Sequence, residues 1–255
     1  MKRVIVVGDI HAQIDKFWSI LSDADLLSEG CKPSPALIAG DVGLILLGDL
    51  VHPKTRESYA ALIGESRFDE YDPEQMQRVE QAEETFLHAV KTFSDAAQGH
   101  VTVLLGNHDH NALTGEEGVL RTDDLPHLEW HPSGRTLPRD LAGWLASWPY
   151  EYVIDGVHFA HVGPKPEHNR YDAGFYLENR RNWILEERDL VSESSYRFGV
   201  YGHTPVRGGA HFASQSRALL LDTNGVAGEY SYAELTITLE RVRLKLRGVY
   251  LETWV

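Results

Sequence analysis

The sequence predicts an α/β protein in which two mixed β-sheets pack against each other, with helices on their outer faces. In the first half, short runs of aliphatic residues alternate with segments of helical periodicity. Near the middle of the chain, Asp155-Gly156 separates two strand-like segments, 150–154 and 157–160, as in a β-hairpin. Further along, three strands follow one another, at 218–221, 233–239 and 242–246. The chain therefore combines parallel strands linked by helices with antiparallel neighbours, as mixed sheets require.

The first half supplies most of the helical signals. Residues 14–27 carry apolar side chains at near-helical spacing, so we expect a helix after the first strand. Asp72-Pro73 is typical of a helix start, and the apolar stripe that follows predicts a long amphipathic helix packed on a sheet. The polar stretch 53–71 before it is interpreted as a loop bordering the functional site. A short helix is expected near 138–147. Strands are expected at 4–7, 44–47 and 101–105.

Composition limits the class of protein. The 255 residues are 42% hydrophobic and 24% charged, which is typical of a globular domain, and neither a linker nor a repeat interrupts them. The formal net charge of −14 disfavours extended nucleic acid and anionic membranes as partners. The single cysteine fits a reducing compartment, and the first apolar run is too short for a signal peptide. We therefore expect one cytoplasmic domain over 1–255.

Three short motifs each come directly after an aliphatic run: Gly8-Asp9-Ile10-His11, Gly48-Asp49 and Gly106-Asn107-His108-Asp109. Two further histidines follow later strands in the same way. Because ligands of open α/β sheets bind at the carboxyl ends of strands, we expect these side chains to meet. Their oxygen and nitrogen donors, with no thiolate, suit Mn²⁺, Fe or Mg²⁺. The six candidate metal ligands are Asp9, His11, Asp49, Asn107, His161 and His203.

Such a donor set can hold two divalent cations, foremost Mn²⁺, with Fe, Ni²⁺, Mg²⁺ and Zn²⁺ as alternatives. Two cations lower the pKa of a bound water and neutralise the charge on phosphoryl oxygens, which is what phosphate-ester hydrolysis needs. His108 directly follows the amide, so it should lie at the mouth of the site and donate a proton to the leaving oxygen. Asp109 is expected to hold that imidazole in the right tautomer and to raise its pKa.

Three other polar residues lie close to these motifs. Gly40-Asp41 has a poorer preceding strand than Gly48-Asp49, so Asp41 is assigned to a turn. His52 is interpreted as a turn histidine, and the alternative is that it approaches the site. Asp222 ends a strand, and indirect contact with the metal ligands and a turn role are equal alternatives.

In their order and in their placement after strands, these motifs resemble those of the calcineurin-like metallophosphoesterase superfamily. That pattern is Asp-x-His, Gly-Asp, Gly-Asn-His-Asp or Glu, a histidine with a following glycine, and Gly-His; all five occur here. The resemblance implies a four-layer α/β/β/α sandwich. It implies a first cation on Asp9, His11 and Asp49, with Asp49 bridging to a second. The ligands implied for the second cation are Asn107, His161 and His203.

Two details indicate a group within the superfamily. In Gly202-His203-Thr204-Pro205, proline stands where many phosphodiesterases and repair nucleases carry another histidine. This ending resembles protein phosphatases, symmetrical diadenosine tetraphosphatases and the phosphatase modules of bacterial RNA-repair enzymes. The segment after Asp49 lacks the phosphate-binding arginine of the protein phosphatases. The resemblance implies a substrate-binding arginine further along, at Arg180 or Arg181; the alternative is that both are solvated residues of a helix face.

The sequence therefore predicts a metal-dependent phosphatase or phosphoesterase that hydrolyses phosphomonoesters or nucleotide-type phosphoanhydrides by attack of a metal-bound hydroxide. Its expected partners are a small phosphorylated substrate, a nucleotide or a phosphoprotein. The first alternative is a nucleic-acid phosphodiesterase of the same superfamily, against which the net charge of −14 counts. The second alternative is a scaffold that kept the fold and lost catalysis, against which the retention of all six donors counts.

Overall fold

The computed structural model describes residues 1–120, 124–130, 132, 134–164, 190–206, 210–213, 217–222 and 232–248. The strands of this part are β1 Lys2–Val7, β2 Leu27–Ser28, β3 Lys32–Pro33, β4 Val42–Leu46, β5 Val101–Val103, β6 Glu151–Ile154, β7 Val157–Ala160, β8 Phe198–Tyr201, β9 His211–Ala213, β10 Ala218–Leu220, β11 Tyr232–Ile237 and β12 Val242–Arg247. The helices are α1 Ile14–Asp23, α2 Pro35–Ile38, α3 Arg56–Leu62, α4 Pro73–Ala96, α5 Asn107–Thr114, α6 Arg139–Leu145 and α7 Leu190–Glu193. Within these ranges, no helix combines the length and the apolar character that crossing a membrane requires.

The strands form two large mixed sheets, as the sequence predicts. The first has the order β12-β11-β1-β4-β5 and the second the order β6-β7-β8-β10-β9. In the first sheet, β1 pairs in parallel with β4 and β4 with β5, whereas β11 and β12 run antiparallel. In the second sheet, β7, β8 and β10 are parallel neighbours, and β6 and β9 are antiparallel edges. The hairpin predicted at Asp155-Gly156 joins β6 to β7.

The two sheets pack face to face through alternate residues of their strands. Along β1, Val4 and Val6 contact the second sheet, while Ile5 and Val7 point to the helices. This alternation follows from the two-residue period of a strand. The second sheet contributes strand residues to the same inter-sheet core, among them Val157, Phe159, Val200 and Leu219.

Among the described residues, helices cover the outer face of the first sheet, and a short helix packs on that of the second, which gives four layers. Phe17 of α1, Phe86 of α4 and Leu141 of α6 all pack in the core on the outer face of the first sheet. Val191 of α7 packs on the outer face of the second sheet, with Tyr201. The predicted four-layer α/β/β/α sandwich is confirmed.

Local boundaries differ from the sequence prediction at three places. The helix expected over 14–27 ends at Asp23, since Asp25 adopts a left-handed conformation with φ 57°. The stretch 53–71, expected to be a loop, contains α3, which begins where the Thr55 side chain accepts a hydrogen bond from the backbone N–H of Ser58. The short α5 begins inside the third motif and was not predicted.

Candidate metal centre

The parallel strands of both sheets end at the same side of the molecule. Val7 of β1 lies beside Leu46 of β4, which lies beside Val103 of β5. In the second sheet, Ala160 of β7 lies beside Tyr201 of β8, and Leu220 of β10 follows. Each of the six metal-ligand candidates comes one to four positions after one of these strand ends. The fold therefore brings the side chains together, as the position of the motifs predicts.

One group of donors forms around β1 and β4. The Nε2 atom of His11 lies 3.9 Å from Oδ2 of Asp9 and 3.7 Å from Oδ2 of Asp49. All three side chains are buried. They therefore form a compact set of one imidazole and two carboxylates.

A second group of donors joins the third motif to the second sheet. The amide oxygen of Asn107 lies 3.0 Å from Nε2 of His161 and 2.8 Å from Nδ1 of His203. The amide nitrogen of Asn107 donates to the backbone carbonyl of Val119, so its oxygen faces the cluster. Oδ2 of Asp49 lies 3.3 Å from Nε2 of His161. Asp49 is therefore shared by both groups.

Backbone carbonyls set the orientation of two imidazoles. Nδ1 of His11 lies 3.0 Å from the carbonyl oxygen of His52, and Nδ1 of His161 lies 2.8 Å from that of Leu47. A carbonyl can only accept, so each Nδ1 carries a proton, and Nε2 is the nitrogen that each ring turns toward the cluster. This is how metal-binding histidines are held in proteins.

Two glycines allow the loops to approach this closely. A Cβ atom at position 106 would lie 2.1 Å from Oδ1 of Asp49, and one at position 202 would lie 2.2 Å from Oδ1 of Asp9. Any larger residue at Gly106 or Gly202 would displace a carboxylate of the cluster.

Buried carboxylates make the site suited to cations. Burial, and next the neighbouring Asp222 carboxylate, raise the pKa of Asp9 well above its ordinary value. Asp222 is itself buried and lines the same cavity as Asp9 and Asp49. Acidic groups held this close out of water need positive charge nearby, and divalent cations supply it. The residues present therefore fit a metal centre.

The His108 ring lies between the metal-ligand candidates and a second set of polar side chains. Its Nδ1 lies 2.9 Å from Oε1 of Glu129, and its Nε2 accepts a hydrogen bond of 2.8 Å from Nζ of Lys54. The backbone N–H of His108 donates to Oδ1 of Asp49 at 2.9 Å, which fixes the start of α5 against the cluster. Burial and the Lys54 ammonium hold the pKa of His108 well below its ordinary value.

The structure corrects the role predicted for Asp109. Its carboxylate accepts hydrogen bonds from the backbone N–H groups of Asp49, Leu50 and Gly106, at 2.7, 3.2 and 3.0 Å. It therefore ties the second motif to the third, and the carboxylate that lies within hydrogen-bond distance of Nδ1 of His108 is that of Glu129. The expected effect of Asp109 on the pKa of His108 stays a prediction.

His52 has the backbone conformation of a turn residue, and its side chain contacts residues of the site. Its φ of 68° is a turn conformation, yet its ring stacks on that of His108 with centroids 4.9 Å apart. Nε2 of His52 lies 3.0 Å from Oε1 of Glu129. On the other side, Nδ1 lies 2.8 Å from the hydroxyl of Tyr59 on α3. The backbone N–H of His52 donates to Glu83, a buried carboxylate on the apolar face of α4.

Sequence reasoning missed several of these side chains. Lys54 could have been considered from the sequence, because it lies five residues after Asp49 in the same loop. Glu129 has no such signal, since it follows a 3₁₀ turn at Pro126–Leu128 in a stretch without helical or strand periodicity. Arg180 and Arg181, predicted to bind substrate, lie outside the described residues.

Comparison with known proteins shows the family of the chain. A sequence profile of the calcineurin-like phosphoesterase family matches residues 2–228. The chain belongs to the calcineurin-like phosphoesterase family. No curated protein sequence matches it.

Solved structures of this fold include two that match almost the whole chain. A metallophosphoesterase from Sphaerobacter thermophilus superposes with a TM-score of 0.50 at 15% identity, covering 98% of this chain and 89% of that one. A protein serine/threonine phosphatase from Saccharomyces cerevisiae superposes with a TM-score of 0.53 at 11% identity, covering 99% and 81%. At these identities the likeness shows a shared fold.

Family membership and the buried cluster together identify the class of enzyme. The protein is a metal-dependent phosphoesterase. Two of its buried donor groups, one of His11, Asp49 and His108 and one of Asp9, Asp49 and His161, share Asp49 and suit a dinuclear metal site.

Proposed function

We propose that this calcineurin-like phosphoesterase removes terminal phosphoryl groups, from phosphomonoesters or nucleotide-type phosphoanhydrides, with two divalent cations of which Mn²⁺ is the first candidate. The observation that carries the proposal is the position of Asp49, whose carboxylate is shared by two sets of buried donors. We assign Asp9, His11 and Asp49 to one cation. The ligands assigned to the other are Asp49, Asn107, His161 and His203.

Two cations in such a site supply Lewis acidity toward phosphoryl oxygens and lower the pKa of water. The choice of Mn²⁺ follows from the donors, which are carboxylate, amide and imidazole without a thiolate. The single cysteine favours a reducing compartment, and we propose a cytoplasmic location on that ground. We also propose that residues 1–255 form one domain.

The side chains around the cluster would orient and protonate the leaving group. His108 lines the same cavity as Asp9, Asp49 and Asn107, so its ring lies beside the proposed metal centre. Glu129 holds the proton on Nδ1, so the ring keeps one orientation. We propose His108 as the residue that donates a proton to the leaving oxygen, with Glu129 in the orienting role that was predicted for Asp109.

Competition between two kinds of phosphate tests the substrate class. A terminal phosphate dianion offers more charge to two cations than an internal diester monoanion does. We therefore expect a short oligonucleotide with a terminal phosphate to release inorganic phosphate faster than it is cut internally, with Mn²⁺ as metal. Gel separation of the oligonucleotide and a phosphate assay follow both reactions in one tube.

The unphosphorylated oligonucleotide of the same sequence is the control. It should stay intact under conditions that remove the terminal phosphate. Internal fragments that appear faster than free phosphate would favour the phosphodiesterase alternative and contradict this proposal.

A further inference from the structure

Lys54 places an ammonium group inside the candidate metal centre. It lies in the loop between β4 and α3, and its side chain is 9% exposed. It lines the same cavity as Asp49, Asn107 and His108, and among the described residues it is the one lysine or arginine that does so. A buried lysine next to metal-ligand candidates is costly unless it meets negative charge.

The contacts of Lys54 account for two of its three N–H donors. One lies 2.6 Å from Oδ1 of Asp124, and the second donates to Nε2 of His108 at 2.8 Å. An ammonium group has three donors, so one remains for a ligand in the cavity. Asp124 is buried and therefore holds the ammonium in place.

The contact with His108 also conflicts with proton donation by that ring. While Nε2 of His108 accepts from Lys54, it has no proton to give to a leaving group. A phosphoryl oxygen in the cavity would attract the ammonium more strongly than a neutral imidazole does, because the oxygen is charged. Lys54 would then turn toward the phosphate and leave Nε2 free to take a proton from water, which the ring needs before it can give one to the leaving oxygen.

We propose that Lys54 binds a phosphoryl oxygen of the substrate and makes the site prefer a phosphomonoester dianion over a diester monoanion. This inference rests on the proposed function and identifies the residue that sets its specificity. A cation at this place adds to the attraction of the metals, and its contribution grows with the charge of the phosphate. Asp124 acts as a positioning residue, since it would reach the substrate only through Lys54.

The test compares Lys54→Met with Asp124→Asn, which breaks the same ion pair but keeps the ammonium. The substrates are p-nitrophenyl phosphate and bis(p-nitrophenyl) phosphate, and Lys91→Met on the exposed face of α4 is the control. For Lys54→Met we expect kcat/KM for the monoester to fall by about 100-fold, and that for the diester to fall less. Asp124→Asn should keep most of the monoester preference.

Binding of inorganic phosphate, measured by calorimetry, gives a readout that is independent of turnover. We expect it to weaken most in Lys54→Met, to weaken less in Asp124→Asn, where the ammonium is kept but held less firmly, and to change little in Lys91→Met. Equal losses on both esters, a loss of bound metal in Lys54→Met, or an Asp124→Asn variant as impaired as Lys54→Met would overturn the inference. If the wild type hydrolysed neither ester, the proposed function itself would fail.

Discussion

Replacing Asp49 by asparagine should abolish turnover and leave the protein with fewer than two metal ions per chain. Asp49 is the side chain that both donor groups share, and its Oδ2 lies 3.7 Å from His11 and 3.3 Å from His161. A neutral amide bridges two cations poorly and leaves their charges uncompensated. Metal analysis of the purified variant, together with its rate on p-nitrophenyl phosphate, measures both effects.

Asp41→Asn is a matched control for this substitution. Asp41 belongs to the other Gly-Asp pair of the chain and lies exposed in a bend before β4, at the opposite end of that strand from Asp49. The Asp41→Asn variant should keep the metal content and the turnover rate of the wild type. Two ions per chain and wild-type turnover in Asp49→Asn would show that the carboxylate does not bridge.

Replacing His108 by alanine should keep both metals and slow turnover by roughly 10²–10⁴-fold, the usual contribution of a general acid. The reason is that His108 is proposed to give a proton to the leaving oxygen rather than a lone pair to a metal. The loss should be greatest for phenyl phosphate, whose leaving group needs that proton. It should be smaller for p-nitrophenyl phosphate, because p-nitrophenolate leaves without one. Rates on both esters and metal content per chain measure the effect.

The exposed His88 on α4 provides the control, since His88→Ala removes an imidazole far from the candidate ligands in the fold. It should leave both rates unchanged. A His108→Ala variant that lost the same factor on both esters would speak against the acid role. Loss of a metal ion in that variant would instead make His108 a ligand.

The six metal-ligand candidates could be chosen from the sequence because strand ends are visible in it. An aliphatic run followed by glycine and a polar residue predicts both a strand and a loop at its carboxyl end. Parallel pairing then requires neighbouring loops to meet, as Asp9 and Asp49 do through β1 and β4. The donor atoms needed no further information, since side-chain chemistry is read directly from the residue type.

The residues around His108 could not be chosen in that way. Glu129 reaches the ring from a segment without periodicity, and its position depends on contacts such as that of Arg135 with the Leu128 carbonyl at 2.6 Å. Asp109 was expected to contact His108 but contacts backbone N–H groups, and the cause is local. Because α5 begins at Asn107, neighbouring residues of its first turn point in different directions. There, a carboxylate in the first turn accepts backbone N–H groups, and Asp109 does so across to Asp49.

In the proposed centre, Asp49 joins two metal ions held by the six candidate ligands. Anomalous X-ray diffraction at the manganese edge, from crystals grown with Mn²⁺, tests it directly. We predict two peaks about 3.5–4 Å apart, one beside His11 and one beside His161, with Asp49 between them. A single peak would contradict the claim. So would peaks elsewhere, for example at His52, His108 and Glu129, whose donor atoms also lie close together.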